Sequence, residues 1–140
     1  MDQKDEKLLS LLRQNARQTT SELARQMKLS RTTVQDRIAR MEDLGIIAGY
    51  TVVMGDAGAM GVRAHVMIKI QSRMQPAVVS AIRKMDEILS LYTISGEFDL
   101  IAILGAGTTT ALDQALDNLG SIDGVERTKT SILLSTKLER

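Results

Sequence analysis

TTSELARQMKLSRTTVQDRIARMEDLGIIAGY, residues 19–50, holds two helical patterns around a short break, followed at once by an aliphatic ribbon. Thr19 and Glu22 have capping-box spacing, in which a hydroxyl and a carboxylate each satisfy an amide that the first helical turn leaves unpaired. Leu23, Ala24 and Met27 then recur on one face. Lys28-Leu29-Ser30 interrupts the pattern, and Ser30 is placed to cap a second helix beginning at Arg31. On that helix Val34, Ile38 and Met41 fall within roughly 60° of one another at about 100° per residue, which makes them the inward stripe. Thr32, Gln35, Asp36, Ala39 and Arg40 are left facing outward.

Two short helices joined this way, with a ribbon behind them, read as a winged helix-turn-helix. A helix entering the major groove needs short or hydrogen-bonding side chains near its N-terminus to reach base edges, and cations along its flank to meet phosphate. Arg31, Thr32, Thr33, Gln35, Arg37 and Arg40 fit that description, and Ser30 and Asp36 complete the candidate DNA-binding set. Gly45 ends the helix where a left-handed residue costs least. Ile46-Ile47 and Tyr50-Thr51-Val52-Val53, separated by Ala48-Gly49, read as a small hairpin, the wing.

Charge is distributed to match. Residues 13–40 carry seven cations (Arg13, Arg17, Arg25, Lys28, Arg31, Arg37, Arg40) against two acids (Glu22, Asp36), whereas residues 51–140 carry nine cations against ten acids. The electrostatic footprint therefore lies in the N-terminal third, as expected if that third meets a polyanion. With a whole-chain net charge of only +1, charge alone does not give tight binding, and several copies must act together.

A chain of 140 residues with 44% apolar content can fill one medium core or two small ones. The absence of cysteine excludes disulfides and thiolate metal sites and suits a cytosolic protein. One histidine and no tryptophan leave little for catalysis or base stacking. The polar start Met1-Asp2-Gln3-Lys4-Asp5-Glu6, and the lack of an apolar run near ~18 residues, predict neither a signal peptide nor a membrane span, hence a soluble cytoplasmic protein. Residues 4–15, with Leu8, Leu9, Leu11 and Leu12, form one more helix that packs on the two after it. The expected organisation is a DNA-binding domain over residues 1–53, a linker over 54–61 and a second domain over 62–140.

The linker assignment rests on Met54-Gly55-Asp56-Ala57-Gly58-Ala59-Met60-Gly61, with three glycines in eight residues. Beyond it Val62, Ala64, Val66, Ile68 and Ile70 alternate with Arg63, His65, Met67, Lys69 and Gln71, the period of a strand with one buried face. Pro76 suits a first helical turn, followed by Val78, Val79, Ile82 and Met85 at helical spacing. A strand over Ile88 to Ser95, the break Gly96-Glu97-Phe98-Asp99 and a strand over Leu100 to Leu104 come next. A helix introduced by Thr108-Thr109-Thr110 carries Leu112, Ala115, Leu116 and Leu119, and a last strand runs from Val125 to Ser135.

The order β-α-β-β-α-β is reinforced by an internal echo. Met85-Asp86-Glu87-Ile88 and Ile122-Asp123-Gly124-Val125 share their spacing at a helix-to-strand junction. Two such halves predict an α+β chain whose second domain is a ferredoxin-like antiparallel sheet with both helices on one face. The other face carries Met67 and one of two alternating sets from the last strand: Glu126, Thr128, Thr130, Ile132 and Leu134, or Arg127, Lys129, Ser131 and Leu133. Apolar residues left there form a patch that a second sheet would cover, so a homodimer is expected.

Taken together, these residues resemble the Lrp/AsnC family of feast/famine transcription regulators along essentially the whole chain. The matching features are Asp5 ahead of the leucine-rich helix, Asn15-Ala16-Arg17, Leu23-Ala24, Leu29-Ser30, Arg40-Met41-Glu42, Leu44-Gly45-Ile46-Ile47 and Gly49-Tyr50. In the second half they are the Gly-x-x-Asp turn Gly96-Glu97-Phe98-Asp99, then Gly124-Val125 and Thr128-Lys129-Thr130. The resemblance implies a sequence-specific DNA-binding regulator, dimers paired through their sheets and assembled into octamers, and an amino-acid effector bound near the Gly-x-x-Asp turn. Carried over residue by residue, the effector site is Gly96, Glu97, Asp99, Thr128 and Thr130. Such groups can offer donors to a carboxylate and acceptors to an ammonium. The plainer alternative is that Gly96 serves a tight turn, Asp99 caps local amides and the threonines favour a strand.

The chain departs from the family pattern at Phe98, where tyrosine is frequent, and at Ala48, a wing position often basic. Asp113, Gln114, Asp117 and Asn118 either line the same cleft or are solvated. His65, with no companion ligands, reads as a packing or interface residue, and no metal or cofactor is expected. The reading is of a non-enzyme. Two other readings of the scaffold are a siroheme-decarboxylase-like enzyme, which needs more acid–base groups than His65 provides, and an amino-acid-sensing module that no longer engages DNA.

Overall fold

The computed structural model describes residues 1–55 and 61–139, so most of the expected linker lies outside the described residues. The chain divides into two compact units, Met1–Val53 and Met54–Arg140.

The first unit contains α1 (Gln3–Gln14), α2 (Thr20–Met27) and α3 (Arg31–Asp43). The capping box at Thr19 forms, with the Glu22 amide donating to the Thr19 hydroxyl at 3.1 Å and the Thr19 amide donating to the Glu22 carboxylate at 2.8 Å. Ser30 caps α3 by accepting from the Thr33 amide at 3.1 Å. Leu8 and Leu12 from α1, Leu23, Ala24 and Met27 from α2, and Val34 and Met41 from α3 make a single buried cluster, with Ile38 and Ile47 packed at its edge. The helical spacing of these residues is thus what joins the three helices. Past α3, Gly45 sits at φ +69°, a conformation in which a Cβ would be strained, and its amide donates to the Glu42 carbonyl at 2.9 Å.

The expected hairpin does not form. Residues 46–53 carry no strand, and Tyr50, Val52 and Val53 are exposed. Two short strands alone bury too little to offset their ordering entropy, and no third strand of this unit lies beside them. Instead the Ile47 amide folds back onto the Met41 carbonyl at 3.0 Å, and the Tyr50 hydroxyl donates to Glu42 Oε1 at 2.7 Å. The ribbon is held by the end of α3 rather than by itself.

The second unit runs β1 (Val62–Ile70), a 3-10 turn (Ser72–Met74), α4 (Gln75–Arg83), β2 (Ile88–Thr93), β3 (Leu100–Ala106), α5 (Thr109–Gly120) and β4 (Val125–Leu133). Its sheet has the order β2-β3-β1-β4, with every neighbouring pair antiparallel. Ala64, Val66, Ile68 and Ile70 on β1 and Leu100, Ala102 and Leu104 on β3 bury against Val78 and Ile82 of α4 and Leu112, Ala115 and Leu119 of α5. The internal echo is structural: the Ile88 amide bonds the Met85 carbonyl at 3.2 Å, and the Val125 amide bonds the Ile122 carbonyl at 3.1 Å. At the second copy the position is glycine because a Cβ on Gly124, at φ +98°, would stand 2.6 Å from Met74 Cβ.

Register decides between the two sets on β4. Met67 pairs with Lys129 and His65 with Ser131, so Arg127, Lys129, Ser131 and Leu133 share the open face with Arg63, His65, Met67 and Lys69. Ile101 and Ile103 of β3 and Tyr92 of β2 join them by their pairing with Met67, His65 and each other. The open face is thus apolar at its middle and cationic along β1 and β4.

Candidate functional site

On α3 the candidate DNA-binding residues divide into three kinds. Thr32, Gln35 and Asp36 are exposed, and their side chains meet no partner among the described residues, so they stand free along the outward face. Ser30 and Thr33 are occupied by the cap, their hydroxyls 2.7 Å apart. Arg31 is exposed at the start of the helix and reaches the Ser21 hydroxyl at 3.4 Å, a long contact that leaves its guanidinium available.

Arg37 is placed otherwise. Its side chain is only 18% exposed, and one Nη lies 2.8 Å from Asp2 Oδ2 and 2.7 Å from Asp5 Oδ1. Its Nε is buried without a partner. Arg37, expected as a flank cation for phosphate, turns toward α1 in this chain. The reason is Asp5, a carboxylate at 1% exposure that needs cations around it. Arg40 also reaches Asp5, at 2.8 Å, yet stays 56% exposed.

Asp2 and Asp5 begin as a capping box on α1, the Asp5 amide donating to Asp2 at 2.9 Å and the Asp2 amide donating to Asp5 at 3.1 Å. The Asp5 amide, and after it the Arg37 guanidinium, holds the Asp2 carboxyl down at about 2. Asp5 is lowered likewise, by the Asp2 amide first and Arg37 second. Arg37 is raised by the two carboxylates it bonds. One polar cluster thus joins the first turn of α1 to the middle of α3.

In the second unit the Gly96–Asp99 turn connects β2 to β3. The Asp99 carboxylate accepts from the Ile70 amide at 2.9 Å, at the point where β1 and β4 shift register, and Lys69 Nζ lies 3.5 Å away. The Ile70 amide, and then Lys69, hold its pKa below the ordinary carboxylate value. The Asp99 amide in turn donates to the Ile68 carbonyl at 2.9 Å. One oxygen of Asp99 thus fastens the turn to β1, and the side chain stays 33% exposed. Phe98 is buried, Glu97 pairs with Arg127, and the Arg127 guanidinium lies 5.0 Å from the Phe98 ring centroid.

Thr128 and Thr130 pair with Ile68 and Val66, which puts them on the helix side of β4, opposite in face to Arg127. Both are exposed, and no hydrogen bond joins them to the turn among the described residues. Gly96 and Glu97 are exposed at the turn's tip. On α5 Asp113, Gln114, Asp117 and Asn118 are all exposed, and Gln114 donates to Asn118 at 3.0 Å, a solvated face of i, i+4 neighbours. A shallow concavity on α4, lined by Pro76, Val79, Ser80, Arg83 and Lys84, shares no residue with these candidates.

Two family models match the chain: a winged helix-turn-helix DNA-binding model over residues 1–48 and the Lrp/AsnC ligand binding domain over residues 63–140. The chain belongs to the Lrp/AsnC family. It is a transcription regulator of that type, with a helix-turn-helix ahead of a ligand-binding domain. Among its relatives, the HTH-type transcriptional regulator Rv2324 of Mycobacterium tuberculosis is 32% identical over 143 residues, covering 100% of this chain and 96% of that protein. The HTH-type transcriptional regulator FL11 of Pyrococcus furiosus is 29% identical over 140 residues, covering 99% of this chain and 93% of that one. Among solved structures, the L-Met complex of the regulator NMB0573 from Neisseria meningitidis superposes with a TM-score of 0.88 at 26% identity, covering 99% of this chain and 93% of that one. E. coli AsnC does so with 0.87 at 25%, covering 100% and 96%.

In this Lrp/AsnC chain sequence reasoning passed over Asp2, Lys69 and Arg127. Asp2 had a visible signal, the Asp-x-x-Asp spacing ahead of a leucine-rich helix. Lys69 and Arg127 had none, because only strand register brings them to the Gly-x-x-Asp turn. No helix among the described residues is long and apolar enough to cross a membrane, and no group of three metal-ligating side chains occurs among them.

Proposed function

We propose that the chain binds double-stranded DNA through the outward face of α3 and answers to an amino acid held by its second unit. One observation carries the first half: Val34 and Met41 are wholly buried while Arg31, Thr32, Gln35, Asp36 and Arg40, on the same helix, are exposed. A helix with one face anchored and the other carrying groove-reading groups is built to enter the major groove. Thr32, Gln35 and Asp36 are the base-reading candidates, Arg31 and Arg40 the phosphate contacts, and Ser30 and Thr33 set the angle of the helix start.

The L-Met complex of the Neisseria regulator supports an amino acid as the effector class. Gly96 and Glu97 on the turn, with Thr128 and Thr130 on β4, are the residues proposed to meet it, and Asp99 holds the turn in place. The apolar middle of the open sheet face supports pairing of two sheets into a homodimer, which would set two copies of α3 against successive major grooves. Assembly of dimers into an octamer, a cytoplasmic location and the absence of enzymatic activity complete the reading.

Gel-shift titration of the purified protein against its own upstream region and a scrambled duplex of equal length tests the DNA half; equal affinity for the two at moderate salt would refute it. Thermal-shift screening of the proteinogenic amino acids tests the other half. A ligand at about 100 times its dissociation constant stabilises the native state by about 2.7 kcal/mol, enough for a clear shift.

A further inference from the structure

Arg37 and Arg40 both reach Asp5 and yet stand differently. Arg37 gives one Nη to Asp2 and Asp5 and is mostly enclosed, whereas Arg40 gives one Nη to Asp5 Oδ2 at 2.8 Å and keeps 56% of its side chain exposed. The remaining donors of Arg40 meet no acceptor among the described residues. Asp5 is thus the carboxylate that meets both guanidinium groups of α3, while Asp2 holds Arg37 as well.

We infer that Asp5 is a positioning residue that sets DNA specificity: together with Asp2 it withdraws Arg37 from phosphate, and by itself it clamps Arg40 by one end, presenting only its outer donors at one fixed place. The inference rests on α3 being the helix that meets DNA. Indiscriminate affinity follows the number of phosphates neutralised, while phosphate contacts of fixed geometry set the register in which bases are read. A clamped Arg40 supplies register together with one phosphate's worth of grip. Two unclamped arginines would follow the backbone of any duplex, raising affinity for all sequences and loosening the register that Thr32 and Gln35 need.

Fluorescence-anisotropy titrations of the full chain, on its upstream region and on a scrambled duplex, across roughly 50 to 200 mM salt, test this. Asp5→Asn, made together with Asp2→Asn because Asp2 alone would still hold Arg37, keeps the shape and removes the charge. It should tighten binding to the scrambled duplex and steepen the salt slope by about 0.9, one phosphate's worth, which is roughly eightfold near 0.1 M. Preference for the upstream duplex should fall by a similar factor, and Asp5→Glu should restore it. A merely structural role would weaken both duplexes together and leave the slope alone, and that result overturns the inference. Because Asp5 is buried and the double variant can fail to fold, the exposed Arg40→Gln supplies a second arm. It should make the slope on the upstream duplex shallower by about 0.9, and an unchanged slope overturns the inference as well. If the unaltered protein shows no preference between duplexes, the DNA reading itself fails; if it does and the folded double variant retains that preference, only the role of Asp5 fails.

Discussion

The Arg37 guanidinium lies 2.7 Å from the Asp5 carboxylate, thirty-two residues apart in sequence, and this contact ties the first turn of α1 to the middle of α3. Three further polar contacts, Arg37 to both oxygens of Asp2 and Arg40 to Asp5, close the cluster. The angle at which α3 is held therefore depends on charges as well as on the apolar cluster of Leu8, Leu23 and Val34.

Acid should loosen that tie in a defined window. Asp2 has its carboxyl lowered from 3.8 to about 2 in the folded state, and Asp5 is lowered too. A depressed carboxylate contributes stability that is fully present above the unfolded value and is lost as pH falls through the folded one. The thermal midpoint of the first unit should hold above about pH 4 to 5 and fall between about 4 and 2. Asp2→Asn should flatten that part of the curve, and an unaltered slope would show that the cluster does not contribute.

Removing Arg37 should harm folding more than removing Arg31. Arg37→Gln leaves a buried carboxylate with fewer partners, a recognised source of large destabilisation, while Arg31 has one long contact at an exposed site. Urea midpoints of the two variants give the comparison. Equal midpoints would return Arg37 to the set of freely exposed cations.

Thr19→Ala should cost about 1 kcal/mol, the usual loss when a capping hydroxyl is deleted. The reciprocal bonds between Thr19 and Glu22 are both present, so the loss should show as a lower urea midpoint at unchanged m-value. Thr20→Ala, one residue on, serves as the control and should change little.

These cases show what was legible in the sequence. Caps, helical stripes and strand alternation are local or periodic, so Thr19, Ser30, Val34 and the buried residues of β1 were readable, as was the Gly-x-x-Asp turn. Arg37 was not, because its position on the helical wheel is intermediate and its partner is supplied by another helix. The hairpin is absent for a related reason: Ile46 to Val53 has the composition of a ribbon, but a ribbon needs a neighbour to pair with. Asp99 was readable as a motif residue, while its bond to the Ile70 amide depended on the irregular pairing of β1 and β4.

Gly124→Ala should be among the more damaging small substitutions in the second unit. The added methyl would stand 2.6 Å from Met74 Cβ and 2.9 Å from Val78 Cγ2, at a φ of +98° that alanine rarely adopts. Overpacking and backbone strain together predict a loss of about 2–3 kcal/mol. Gly107→Ala, where nothing lies within 4 Å, is the matched control and should sit near the unaltered protein in denaturant melts.

Base reading and phosphate gripping should separate by residue along α3. Gln35 is exposed, uncharged and without a partner among the described residues, so its amide is suited to a paired bond with an adenine edge. Gln35→Ala should cost about 1–3 kcal/mol on the preferred duplex and far less on a scrambled one, with the salt slope unchanged. Arg31→Gln should weaken both duplexes by a similar factor and make the slope shallower by about 0.9. Binding isotherms at three salt concentrations distinguish the two signatures. If Gln35→Ala instead weakened both duplexes alike, its side chain would belong with the backbone contacts, and the reading of sequence would have to rest on Thr32 and Asp36.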